Sequence, residues 1–230
     1  MRLLAAGASV RGPVHRQDGE PNQDALGIYG LRGGWCAAVA DGLGSRPHSH
    51  LGSRRAVNLL RQLMRGTRPS SAAGVAPALR EAWLSHFDQS YRDYETTCLW
   101  ACVDATGQGL VGQVGDGLLM VRSAGRFSVL SAPRQGYSNH TSTLAQREPA
   151  ECCSAAVALT QPGDGVLMMT DGIADDLISE QLELFFNAIY RRMRHSSRRR
   201  MRRWLTRELN DWSTPHHGDD KSIAGIFRTD

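Results

Sequence analysis

The sequence predicts an α+β fold in which helices pack on antiparallel β-sheets. Short apolar runs separated by glycine- and proline-containing turns predict many strands, and two separate regions have apolar residues at helical spacing. Along the chain the order is strands, two helices, several strands, further helices and a last strand. That order suits a layered arrangement of helices on sheets.

The first half of the chain begins with three predicted strands. They span residues 2–10, 25–31 and 35–40. The third runs from Trp35 to Ala40 and ends abruptly at Asp41-Gly42, as expected for a buried strand that carries an acidic residue to its end. Apolar residues at helical spacing then predict two helices, over residues 51–65 and 75–94.

The second half changes to short apolar runs and predicts an antiparallel meander. Its strands are predicted over residues 97–103, 110–114, 118–122 and 127–130. A polar stretch over 131–150 is expected to be a long loop or a small flap. Strands at 154–160 and 165–170, helical structure over 178–212 and a closing strand at 222–227 complete the chain.

Bulk properties favour an ordinary globular domain. The chain has 230 residues, 41% of them apolar, and no boundary between domains is visible, so residues 1–230 are predicted to form a single domain. The sequence contains no run of 18 apolar residues, so no membrane span is expected. The five cysteines include no C-x-x-C pair, which favours packing roles and a reducing, cytoplasmic environment over a disulfide framework or a zinc site.

Positive charge is concentrated near the C-terminus. Nine arginines and no acidic residue lie between Arg191 and Arg207, so the net charge of +4 leaves −5 for the rest of the chain. We favour the interpretation of this segment as a solvated outer helix. A docking surface for an acidic protein partner ranks second. Nucleic-acid binding ranks last, because no zinc-finger or RNA-binding signature accompanies the arginines.

Five acidic sites stand beside glycine or polar residues, four where apolar runs end and the fifth, at Asp116, inside the meander. They are Asp24 in Asn-Gln-Asp-Ala, Asp41 in Val-Ala-Asp-Gly, Asp116 in Val-Gly-Asp-Gly, Asp171 in Met-Thr-Asp-Gly, and Asp219 with Asp220 in Asp-Asp-Lys-Ser. Asp-Gly alone is a common turn dipeptide. Repeated at strand ends across the whole chain, the pattern instead indicates oxygen ligands for hard divalent cations.

The ordered series resembles the motifs of the PPM (type 2C) protein phosphatase family, from Gly7 to Phe227. The resemblance implies an αββα sandwich of two antiparallel sheets flanked by helices. It also implies two Mn²⁺ or Mg²⁺ ions at one end, and in some members a third. Family members hydrolyse phosphoserine and phosphothreonine by direct attack of a water that bridges the metals.

The resemblance also assigns roles to individual residues. Asp41 matches the carboxylate that bridges both metals, and Gly42 the residue whose carbonyl completes the second site. Asp171 and Asp219 match the other ligands of the first metal, Asp219 being preferred to Asp220 because it lies three residues before Ser222. Asp24 matches the acid that binds or orients metal-bound water. Asp116 and Asp175 match positions associated with the third metal.

The sequence departs from the family pattern in three places. Gln23 stands where many members have a glutamate ligand, and a neutral amide is a weaker ligand for a hard cation. Glu20 stands where many members have a phosphate-binding arginine, so His15 or Arg16 could supply that cation, or could be an exposed loop pair. Leu43 replaces a histidine found in some eukaryotic members, which favours a bacterial-type enzyme.

The function expected from the resemblance is therefore a protein serine/threonine phosphatase. Its expected partner is a phosphorylated protein, a Ser/Thr kinase or the target of that kinase, with no membrane partner. One alternative is a catalytically weak or inactive phosphatase-like sensor or scaffold, favoured by Gln23 and the missing arginine. The other is a nucleic-acid-binding protein that uses residues 191–207.

Overall fold

The computed structural model describes residues 1–66, 69–132, 141–147, 149, 152–212 and 218–230. Half of the polar stretch predicted as a loop or flap over 131–150, namely 133–140 with 148 and 150, lies outside these residues. The described residues form ten strands and six α-helices. The strands are β1 (Leu3–Val10), β2 (Ala25–Leu31), β3 (Gly34–Ala40), β4 (Cys98–Val103), β5 (Gln108–Val114), β6 (Leu118–Ser123), β7 (Arg126–Val129), β8 (Cys152–Ala158), β9 (Gly165–Met169) and β10 (Lys221–Arg228).

The strands form two antiparallel sheets of five. The first has the order β1-β10-β9-β6-β7 and the second the order β2-β3-β4-β5-β8. Their facing sides share one buried apolar cluster, which includes Ala5 and Ile226 from the first sheet and Val39 and Leu99 from the second. The alternation of side chains along each strand is what allows one face to enter this cluster and the other to meet helices.

Helices cover both outer faces. They are α1 (Pro13–Gln17), α2 (Ser49–Arg65), α3 (Val75–Phe87), α4 (Asp171–Ala174), α5 (Leu182–Arg194) and α6 (Arg198–Asp211). Helices α2 and α3 bury residues such as Leu60 and Trp83 against the second sheet. Helices α5 and α6 bury Phe186 and Leu205 against the first. The predicted αββα sandwich is confirmed.

Two predicted helical regions are interrupted. The helix predicted over 75–94 ends at Phe87, because Asp88 has a positive φ of 48°, and a 3₁₀ segment follows over Asp88–Tyr94. The region predicted over 178–212 is divided into α5 and α6. Ser197 begins α6 by accepting a hydrogen bond from the backbone N–H of Arg200 at 3.3 Å.

The predicted meander is antiparallel but is not one sheet. Strands β4 and β5 belong to the second sheet, whereas β6 and β7 belong to the first. The chain crosses between them at Gly115-Asp116-Gly117, where both glycines have positive φ, 92° and 98°. That conformation suits glycine, so the crossing depends on these two residues.

One cysteine pair departs from the expectation. Cys36 and Cys102 lie opposite each other on β3 and β4, and their sulfur atoms are in disulfide contact. Cys98 is buried on the same face as Cys102, as the spacing predicts. Among the described helices, none has the length and apolar content needed to span a membrane.

Candidate metal centre

The predicted acidic residues gather at one end of the sandwich. Asp24 immediately precedes β2 and Asp41 follows β3, and these antiparallel neighbours bring them to the same sheet end. Asp171 follows β9, Asp219 precedes β10 and Asp116 lies at the crossing between the sheets. Because both sheets present loops at this end, residues nearly 200 positions apart become neighbours.

Hydrogen bonds to the backbone of Asp41 fix its position. Its N–H donates to Thr97 Oγ1 at 3.0 Å, and its carbonyl accepts from Thr97 N–H at 2.8 Å and from Thr96 Oγ1 at 2.7 Å. Carboxylate oxygens of Asp41, Asp116 and Asp171 lie within 4.8 Å of one another. The threonines therefore fix the position from which Asp41 joins this cluster.

Gly42 continues the same turn. Its N–H donates to the carbonyl of Gln23 at 3.2 Å, which connects the loop after β3 to the segment before β2. A Cβ atom at this position would lie 2.7 Å from the carbonyl group of Ser49. The close approach of α2 therefore requires glycine here.

Asp24 is buried and has two unlike carboxylate oxygens. Oδ2 accepts a hydrogen bond from Thr170 Oγ1 at 2.8 Å, and Thr170 Oγ1 in turn accepts from Ser222 N–H at 3.0 Å. Oδ1 is buried and has no hydrogen-bond partner within the described part of the chain. A buried carboxylate oxygen without a partner is costly unless a cation or water meets it.

Asp219 and Asp220 have different environments although they are adjacent. Asp220 is buried, and its carboxylate accepts from the N–H groups of Gly12 and Gln23, both at 2.6 Å. Asp219 is exposed and lines a cleft of about 390 Å³ together with Asp171, Asp175 and His15. The geometry thus leaves Asp219 open to a ligand and uses Asp220 to hold the N-terminal loop.

The two cationic candidates also differ. His15 is partly buried, with Nδ1 3.0 Å from Asp220 Oδ2, and it lines the cleft beside Asp219. Arg16 is exposed and donates to the side chain of Asn210 in α6. His15 is therefore brought to the acidic cluster, whereas the guanidinium of Arg16 is engaged with α6.

The cluster has unfavourable electrostatics on its own. Burial raises the pKa of Asp41 well above its usual range, and the nearby carboxylates of Asp24, Asp171 and Asp219 raise it further. The pKa of Asp24 is raised mainly by burial and also by the charge of Asp220. Partial desolvation of its carboxylate and the negative charge of Asp171 raise the pKa of Asp219, although the residue as a whole is exposed. A bound cation would relieve this repulsion.

Sequence reasoning missed three residues that support the cluster. Thr170 connects Asp24 to β10, and Asp220 anchors the loop of His15. Lys221, the only lysine in the sequence, is buried and donates to the carbonyl of Asp219 at 3.1 Å. As the single lysine in an arginine-rich sequence, Lys221 could have been identified from the sequence as a residue with a specific role. The contacts of Thr170 and Asp220 were not visible in sequence, because their partners lie far away along the chain.

The donor set fits hard divalent cations. The ligands implied by the resemblance are oxygens, the carboxylates belong to several separated loops, and Asp24 Oδ1 is buried without a partner among the described residues; His15 is the one nitrogen donor that lies with Asp219 and Asp220 within ligand distance. Mn²⁺ and Mg²⁺ prefer such oxygen ligands.

Comparison with protein families decides the assignment. The family model of protein phosphatase 2C matches residues 11–210. The chain belongs to the protein phosphatase 2C family. This confirms the resemblance inferred from the motif series, and the match includes the segments that carry Asp24, Asp41, Asp116 and Asp171.

Solved structures of serine and serine/threonine phosphatases share the fold. A bacterial serine phosphatase aligns with 100% of this chain and 99% of its own, at a TM-score of 0.71 and 16% identity. The catalytic domain of the serine/threonine protein phosphatase PstP, solved with two manganese ions, aligns over 99% of each chain at a TM-score of 0.70 and 18% identity. The serine/threonine phosphatase Stp1 from Staphylococcus aureus aligns over 99% of this chain and 96% of its own, at a TM-score of 0.70 and 16% identity. A search of the curated proteins returns no match.

Proposed function

We propose that this chain, residues 1–230, is a single-domain, metal-dependent protein phosphatase that hydrolyses phosphoserine and phosphothreonine in a phosphorylated protein. The partner would be a Ser/Thr kinase or the target of that kinase, in the cytoplasm. The observation that carries the proposal is the convergence of Asp24, Asp41, Asp116, Asp171 and Asp219 at one end of a protein phosphatase 2C fold.

Two ions would be held by different subsets of this cluster. Asp41, Asp171 and Asp219 would hold the first. Asp41 and the carbonyl of Gly42 would hold the second, with Asp24 as a ligand or as the acceptor that orients water. Asp116 and Asp175 would take a third, weaker ion. When bound, two Mn²⁺ or Mg²⁺ ions would supply a nucleophilic hydroxide near neutral pH and would neutralise phosphoryl charge.

The chain itself would position substrate and water. His15, whose Nδ1 lies 3.0 Å from Asp220 Oδ2, lines the cleft and would donate a hydrogen bond to a phosphoryl oxygen. Asp24, oriented through Thr170, would accept a proton or a hydrogen bond from the water that attacks phosphorus. Arg16 would reach the phosphate only after leaving Asn210.

The test is hydrolysis of p-nitrophenyl phosphate and of a phosphothreonine peptide with Mn²⁺, Mg²⁺ or EDTA. Wild type is expected to turn over only with metal, and Asp171→Asn is expected to abolish turnover. Asp176→Asn is the matched control, because it removes one charge nearby while the amide oxygen can still accept from Trp212 Nε1, now 2.8 Å from the carboxylate. Absence of turnover in folded wild type with either metal would overturn the proposal.

One observation favours the alternative of a phosphatase-like scaffold. Gln23 occupies the position where a carboxylate ligand is common in the family, and its backbone rather than its side chain carries the bonds to Gly42, Ser53 and Asp220. If wild type is inactive and Gln23→Glu restores metal-dependent turnover, the natural chain is the scaffold form.

A further inference from the structure

We propose that a groove at the open side of the sandwich binds an extended, acidic peptide segment of a partner protein. This edge groove lies between β1, β2 and α6 and has a volume of about 720 Å³. Its walls include Gly7 and Ser9 from β1, Leu26 and Ile28 from β2, and Arg199 and Arg202 from α6. Binding in this groove would not depend on turnover at the metal centre.

Two sheet edges meet in this groove. Strand β1 is the last strand of the first sheet and β2 is the last strand of the second, and each pairs with one neighbour among the described strands. The two strands touch: a Cβ atom placed on Gly7 would lie 3.1 Å from Ile28 Cδ1. The groove therefore follows two strand edges that run beside each other.

The hydrogen-bond phase of β2 directs main-chain groups into the groove. Gly42 N–H donates to the carbonyl of Gln23, so Gln23 and every second residue after it face β3. The intervening residues Leu26 and Ile28 direct their N–H and C=O groups outward. The guanidinium of Arg198, which donates to the Ile28 carbonyl at 3.3 Å, confirms this phase. An extended peptide could pair with such an edge.

Helix α6 supplies the charge. Met201, Leu205 and Leu209 bury one stripe of the helix, and Arg198, Arg202 and Thr206 form the neighbouring stripe with the same four-residue spacing. Arg198 is fixed by the Ile28 carbonyl and lies 5.0 Å over the ring of Trp35. Arg199 and Arg202 are exposed, and neither forms an ion pair with a carboxylate in the described part of the chain.

These features favour an acidic peptide over the other occupants. Among the described residues that line the groove, none is acidic, so the lining has no carboxylate to neutralise the positive charge of Arg199 and Arg202. The strand edge on the opposite wall alternates main-chain donors and acceptors, and an extended peptide backbone has the same alternation and spacing. Arginines also guard exposed edges against unwanted pairing, and the experiment must separate that role from binding.

The groove also approaches the metal centre. Ser9, at one end, accepts a hydrogen bond from Asn22 Nδ2 at 2.9 Å, and Asn22 Oδ1 accepts from the N–H of Asp24 at 3.0 Å. A peptide in the groove would therefore lie along a surface that leads to the acidic cluster.

The test measures binding of a fluorescent peptide of alternating glutamate and valine, about eight residues long, by anisotropy without metal. Arg199→Gln/Arg202→Gln is compared with Arg191→Gln/Arg194→Gln, which removes the same charge from exposed positions of α5 outside the groove. We expect the groove variant to bind at least about tenfold more weakly, and the control to change by less than about twofold. All four arginines are exposed, so both proteins should fold, as circular dichroism would verify.

Two further arms examine the mode of binding. A peptide with N-methylated valines should bind more weakly, and bound peptide should slow hydrogen exchange at the Ile28 amide. Equal loss in both variants, or unchanged binding by the methylated peptide, would overturn the proposal in favour of non-specific attraction. Tighter binding of single-stranded DNA than of the peptide would reassign the surface to nucleic acid. Absence of peptide binding would overturn the proposal and leave edge protection as the role of the arginines.

Discussion

His15 Nδ1 lies 3.0 Å from Asp220 Oδ2, and the same carboxylate accepts two backbone N–H groups, from Gly12 and Gln23. Three residues of the N-terminal loop, Gly12, His15 and Gln23, thus contact one buried carboxylate directly before β10. Asp219, the next residue back, has an exposed carboxylate that lines the cleft. The Asp-Asp pair combines an anchor with a candidate ligand.

This division predicts opposite outcomes for two similar substitutions. Asp220→Asn should lower the free energy of unfolding by about 1–3 kcal/mol, because an amide cannot accept all of these hydrogen bonds. Asp219→Asn should leave the metal-free protein at least as stable and should weaken Mn²⁺ binding. Chemical denaturation with EDTA and Mn²⁺ titration by calorimetry would measure the two effects. Loss of Mn²⁺ affinity in Asp220→Asn alone, in folded protein, would exchange the roles.

Thr170 is expected to act through Asp24. Thr170→Val removes the donor to Asp24 Oδ2 and the acceptor of Ser222 N–H, while the side-chain shape is kept. We expect a loss of about 1–3 kcal/mol in unfolding free energy and a decrease of about 10- to 100-fold in metal-dependent activity. Thr170→Ser retains the hydroxyl and is the control. Equal loss of activity in both variants would show that the methyl group, not the hydrogen bond, matters.

The phosphate-binding role is predicted for His15 rather than Arg16. His15→Ala should lower kcat/KM for a phosphothreonine peptide by about 10- to 100-fold, the effect of losing one charge-assisted hydrogen bond. Arg16→Ala should change kcat/KM by less than about threefold, because that guanidinium is engaged with Asn210. Steady-state kinetics at saturating Mn²⁺ would measure both. A larger effect of Arg16→Ala would reverse the assignment.

Stability of the metal-free protein should depend on pH. Burial and neighbouring carboxylates raise the pKa of Asp24 and Asp41, so the folded state holds these protons more tightly than the unfolded state does. That stabilisation is present below the ordinary aspartate pKa of 3.8 and is lost as pH rises through the raised values. In EDTA, the Tm should therefore fall as the pH rises above the ordinary aspartate value of 3.8.

Asp24→Asn should reduce this pH dependence, and Asp176→Asn, outside the cluster, should not. Stabilisation by Mn²⁺ should increase with pH in wild type, because ligand carboxylates must lose protons to bind metal. Thermal unfolding with EDTA or Mn²⁺ across this pH range would measure both trends. A Tm in EDTA that rises over the same range by an equal amount in wild type and Asp24→Asn would contradict the prediction.

Local pattern determined much of this molecule. Apolar runs with a period of two located the strands, helical spacing located α2 and α3, and acidic residues at strand ends identified the family through their order. These signals depend on neighbours within a few positions, which sequence displays directly. The break between α5 and α6, at His195, Ser196 and Ser197, was less visible because helical residues continue on both sides of it.

Contacts between distant residues required the tertiary structure. A period of two assigns a side chain to a face but does not say which sheet a strand joins, so β4–β7 were expected in one meander and divide between two sheets. Likewise, Asp220 rather than Asp219 is buried because Gly12 and Gln23, about 200 positions away, supply its hydrogen bonds. Sequence alone determined the elements, the motifs and the family. Only packing decided which acid is an anchor, which cation faces the cleft and where α6 places its arginines.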